Sequence, residues 1–130
     1  MTDDLTNWKP GEWFEALDRD HLQAFFTSRL PAIRAAAREH GYAIGVHGSM
    51  RRDLDLIAVA WRDDASDKDT LAHAIAVAAC GITREGDYEW EAKPLGRMAT
   101  SIPCCWPRWY GEAGAGHIDL SVAAASRNLA

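Results

Sequence analysis

At 130 residues, with 48% hydrophobic and 25% charged side chains, the chain has the size and balance of one ordinary domain with a modest core. A net charge of −5 argues against a dedicated non-specific nucleic-acid binder, which needs a strong basic field. The polar start MTDDLTNWKPGEW has neither the basic segment nor the apolar core of a signal peptide, and no apolar run approaches the ~20 residues of a membrane span, so the sequence reads as cytoplasmic and without a membrane partner.

Residues 1–16 show no clear period and read as an N-terminal arm that Trp8, Trp13 and Phe14 would pack onto a single domain spanning 1–130. Leu22, Phe25, Phe26 and Leu30 recur at helical spacing, which predicts a helix over 18–30. Pro31 then either kinks that helix or opens a second one through PAIRAAAREH, and Gly41 supplies a stop. YAIGVHG (42–48) and DLDLIAVAW (53–61) read as neighbouring antiparallel strands. SDKDTLAHAIAVAACG (66–81) reads as a helix capped by Ser66, with Asp69 closing a capping box and Leu71, Ala74, Ile75 and Ala78 as its stripe. Residues 82–96 are polar and hold at most a strand edge; 97–105 and 117–124 read as strands around a glycine-containing loop anchored by Trp106, Trp109 and Tyr110, and 125–130 as a fraying tail. Trp90 also reads as a loop anchor. The expected class is α/β (α+β), a mixed, partly antiparallel sheet flanked by helices.

HGSMRRDLDLIAVAW (47–61) carries the chemistry. Asp53 and Asp55 stand two apart on a strand, so both carboxylates leave the same face. Like charges that close repel unless a cation relieves them. Mg²⁺ or Mn²⁺ suits carboxylate oxygens and commonly binds one or two of them together with substrate phosphates. Asp119 in HIDLSV repeats the hydrophobic-Asp-hydrophobic pattern. If its strand lay beside 53–59, it would sit ~4.8 Å from the first pair, and three carboxylates would suit two metal ions ~3.5–4 Å apart. Gly48 admits backbone close to a phosphate, Ser49 adds an N–H and a hydroxyl, and Arg51, Arg52, Lys93 and Arg97 supply positive charge. The plainer reading of Asp53 and Asp55 is a pair of solvated carboxylates salted by the neighbouring arginines. His40, His47 and His117 have no zinc or iron spacing, although His47 and His117 flank the aspartates and suit a supporting or basic role. Cys80, Cys104 and Cys105 lack a C-x-x-C arrangement and read as free thiols.

GS…DLDLIAV followed by HIDLSV resembles the DNA polymerase β-type nucleotidyltransferase superfamily. The resemblance covers residues 42–61 and 117–122. It implies a nucleotidyltransferase-like fold and transfer of a nucleoside monophosphate from a nucleoside triphosphate to an acceptor, with a divalent metal. By position it implies that Gly48 and Ser49 contact triphosphate, that Asp53 and Asp55 ligate metal, and that Asp119 is a third ligand or the base for the acceptor. The family places a longer helical turn before the first aspartate; here only Met50, Arg51 and Arg52 intervene. That departure keeps open an inactive nucleotide-binding or protein-interaction module on the same fold.

Overall fold

The structure, a computed structural model, describes residues 10–48, 50, 53–79, 83, 87–106 and 114–123, with the side chains of 10–19, 105–106 and 114–115 left aside. Helix α1 (Pro10–Glu39) is one 30-residue helix. It starts inside the stretch read as an arm, and Pro31 neither ends it nor opens a second helix. Leu22, Phe26, Leu30, Ile33 and Ala37 form one buried stripe at intervals of three and four, on both sides of the exposed Pro31. Packing along that stripe offsets the hydrogen bond the proline removes. Gly41 stops the helix as expected: its φ is +88°, its N–H donates to the Arg38 carbonyl, and a Cβ there would stand 2.9 Å from Ala65 Cα.

Strand β1 (Tyr42–His47) turns into β2 (Leu54–Ala60), helix α2 (Lys68–Ala78) follows, and β3 (Glu91–Lys93), a 3₁₀ turn at Pro94–Gly96, β4 (Arg97–Trp106) and β5 (Gly114–Ala123) complete the chain order. The sheet order is β1-β2-β5-β4-β3, with β2 and β5 parallel and every other neighbouring pair antiparallel. The fold is therefore mixed α/β. Two details of α2 differ from the sequence reading. Its N-cap is Asp67, whose carboxylate accepts from Thr70 N at 2.8 Å, whereas the Ser66 hydroxyl faces His40 Nδ1 at 2.8 Å. Its buried stripe is Leu71, Ala72, Ile75 and Ala76, one position round from the expected one, with Ala74 and Ala78 only half-buried. Asp69 closes no box. It accepts from Tyr88 N and Trp90 Nε1, both at 2.9 Å, and so ties the approach to β3 onto the helix.

Strand alternation gives the sheet two unlike faces. Leu54, Leu56, Ala58, Ile102, Ile118, Leu120 and Val122 form the core face, continuous with the buried stripes of both helices. Cys104 is buried there too. The opposite face carries the aspartates. Among the described residues no helix is long and apolar enough to cross a membrane.

Candidate functional site

The open face is set by register. His47 pairs with Asp55 across β1–β2, Asp55 with Asp119 across β2–β5, and Asp119 with Ser101 across β5–β4. One row therefore reads His47, Asp55, Asp119, Ser101 across four strands. The intervening apolar residues, Leu54 and Leu56 in β2 and Ile118 and Leu120 in β5, are fully buried beneath it, so the two carboxylates stand on rigid strands. Asp119 lies beside Asp55, the placement the three-carboxylate reading requires. Asp53 precedes β2, and its Oδ1 lies 3.9 Å from His117 Nδ1.

The carboxyl of Asp55 is held above its ordinary value, first by burial and then by the negative charge of Asp119. His47 works in the opposite direction, while a hydrogen bond shared with Asp119 and the charge of Asp53 raise it further. Two carboxyls that share a proton form a pair that a cation is able to occupy in the proton's place. Ser101 Oγ donates to Asp119 Oδ1 at 3.1 Å, which fixes that carboxylate from its far side. Gly48 closes the row at the β1 end. Its φ is +77°, and a Cβ built on it would come 2.5 Å from Asp55 Oδ2, so backbone abuts carboxylate here. Met50 has φ +56°, so the corner joining β1 to β2 uses left-handed backbone at both positions.

Two rows further along the face lie the cations. Lys93 pairs in register with Arg97. The 3₁₀ turn delivers Arg97 onto the sheet: its Nε donates to Pro94 O at 3.1 Å and its Nη1 to Ser121 Oγ at 3.0 Å. Ser121 is two residues beyond Asp119, about 6.6 Å of strand rise. Lys93 Nζ is 3.3 Å from Glu91 Oε2. A cleft of about 620 Å³ spans this distance, with His47, Asp55 and Asp119 at one end, Lys93 and Arg97 beside Glu89 and Glu91 at the other and Ser101 and Ser121 between them.

Of the expected site residues, Asp55, Asp119, Lys93 and Arg97 line this cleft, Gly48 abuts Asp55, and Asp53 lies beside His117 outside the lining. Ser49, Arg51 and Arg52 lie outside the described residues. No group of three or more His, Cys, Asp or Glu side chains among the described residues is arranged to hold a metal ion by itself. The donors at hand are the Asp55–Asp119 pair. Their hard oxygens suit a divalent ion that completes its coordination with substrate phosphate. Sequence reasoning missed Ser101 and Ser121. Both sit at alternate positions of apolar strands, but only the register between distant strands reveals which aspartate and which arginine they serve. No protein-family model matches the chain, and no curated protein matches it in sequence.

Proposed function

We propose that the open face of the sheet binds a nucleoside triphosphate with Mg²⁺ or Mn²⁺ and transfers its nucleoside monophosphate to an acceptor hydroxyl. The observation that carries this reading is the register pairing of Asp55 with Asp119 in a cleft that Arg97 and Lys93 also line. Asp55 and Asp119 would hold the cation, with Asp53 beside them. A divalent ion bound there neutralises phosphoryl oxygens and orients an in-line displacement. Arg97, pinned by Pro94 and Ser121, and Lys93 offer donors to phosphate oxygens. Gly48 allows close approach of backbone, with Ser49, Arg51 and Arg52 adjoining it in sequence. In the transfer, the acceptor oxygen bonds to the α-phosphorus, the bridging bond to the β-phosphate breaks and pyrophosphate leaves. The acceptor's proton passes to a carboxylate of the pair.

A second reading, nucleotide binding without turnover, is favoured by the three residues that separate Gly48-Ser49 from Asp53. Calorimetry with ATP, GTP, CTP and UTP, with and without Mg²⁺ or Mn²⁺, tests the site. Binding that needs the metal and is lost in Asp53→Asn/Asp55→Asn supports it, and binding of no triphosphate refutes it. Steady pyrophosphate release with an acceptor separates the enzyme from the binding module.

A further inference from the structure

The two edges of the sheet are unlike. β3 is three residues long, bears Glu91 and Lys93 and ends at Pro94, features that blunt an edge against pairing. β1 is six residues, Tyr42-Ala-Ile-Gly-Val-His, and has none of these features along its length. Its outward groups follow from the ladder. Trp61 N donates to Gly41 O, which makes Gly41 and Trp61 a hydrogen-bonded pair in line with the β1–β2 register. Alternation then assigns Ala43, Gly45 and His47 to bonds with β2 and turns the N–H and C=O of Tyr42, Ile44 and Val46 away from the sheet.

The space beyond that edge is open and cationic. A cleft of about 330 Å³ runs along Tyr42, Ala43 and Ile44, walled by Arg34 and Arg38 of α1 and by Trp61. Arg34 and Arg38 stand four apart on the exposed helix surface and make no ion pair with a described residue. Trp61 is 58% exposed, with the Arg62 guanidinium 5.4 Å from its ring centroid. Ala43 and Gly45 are exposed, and a Cβ at Gly45 would meet nothing closer than 4.0 Å, so backbone is accessible between them. Arg62 is itself paired with Asp64 at 3.2 Å, which leaves Arg34 and Arg38 as the two cations of the cleft, and in a chain of net charge −5 they select against a second copy and for an acidic strand.

We propose that β1 is a docking edge that takes an extended acidic segment of a partner protein as a sixth strand, its backbone paired with Tyr42, Ile44 and Val46 and its carboxylates met by Arg34 and Arg38. Main-chain bonds supply affinity and the arginines select charge. This surface is separate from the acid pair and does not depend on nucleotide binding.

The test uses the full chain and a fluorescent heptapeptide of alternating valine and glutamate, followed by anisotropy. Binding should weaken about tenfold in Arg34→Glu/Arg38→Glu and vanish in Ile44→Pro, which removes an outward N–H that β2 does not use. Should the proline variant fold poorly, amide exchange of the wild type gives the same answer. Peptide should slow the Tyr42, Ile44 and Val46 amides and leave Ala43 and Gly45 unchanged. Absence of peptide binding, or binding indifferent to both variants, overturns the proposal. So does tighter binding of oligo-dT than of the peptide, or a dimer in sedimentation that Ile44→Pro dissolves; these results assign the edge to nucleic acid or to a second copy.

Discussion

At the scale of single residues, the Asp55–Asp119 pair sets two carboxyls side by side across β2 and β5. Asp55 takes up its proton above the ordinary carboxylate value of 3.8, so the native state binds more protons than the unfolded chain in the interval above that value. Stability without metal should therefore fall as pH rises through that interval, and a divalent cation should restore it. Thermal melts across pH, with and without Mg²⁺, measure this, and a rise in metal-free stability through the same interval would contradict it. Asp119→Asn should lower the Asp55 titration midpoint by removing the second-largest cause, with burial keeping it somewhat raised; carboxyl ¹³C titration reads the shift. Gly48→Ala should cost about 1 kcal/mol for a left-handed alanine and push the Asp55 carboxylate aside. Metal-dependent binding should then drop far more than the melting temperature does. The pair was legible in the sequence because alternation sets a strand's faces from a few residues: Asp-Leu-Asp-Leu and Ile-Asp-Leu each announce a polar face. Ser101 and Ser121 were not legible as site residues, because their partners Asp119 and Arg97 lie 18 and 24 positions away and register is a property of two strands together.

At the scale of elements, local signals located the helices and strands and misjudged their ends. Ser66 and Asp67 are both good caps, and the choice fell to Asp67 because Tyr42 Oη and His40 engage the Ser66 carbonyl and hydroxyl. The cap carboxylate is held below its ordinary value, chiefly by the Thr70 N–H, so its contribution is present above pH 3.8 and is lost as pH falls further. Asp67→Ala should cost about 1 kcal/mol and lower Tm by about 4 °C. Asp67→Asn, which still accepts from Thr70 N, should retain most of that stability and lose its pH dependence. Equal losses in calorimetry for the two variants would remove the cap from the account. Pro31 shows where local reading left a choice, one helix with a proline in it or two: a helix breaker sits inside a 30-residue helix because a tertiary stripe on the opposite face binds both halves to one core.

At the scale of the whole molecule, the sequence places Asp53 and Asp55 on one face of a helix-flanked sheet and offers the pairing of 117–124 beside 53–59 only as a condition; the full strand order is not expected from it. β5 lies at the centre of the sheet, between β2 and β4, and it alone joins the β1–β2 hairpin to the β3–β4 hairpin. Its pairing with β2 links Leu54 to Ile118, a separation too great for any local signal to carry. A chain that stops before Gly114 should therefore lose cooperative unfolding and its near-UV circular dichroism, and not merely cation binding. A cooperative melt in that truncated chain would mean that the two hairpins and α1 suffice for a core.

The central position of β5 also orders events in time. The ribosome makes this strand after the four that flank it. Until it slides between β2 and β4, Asp55 lacks the carboxyl of Asp119 beside it and Arg97 has no Ser121 to rest on. A half-made chain carries every residue of the β1–β2 hairpin yet lacks the cross-strand partner of Asp55. The last strand to be made then completes both the core and the acid pair in a single insertion.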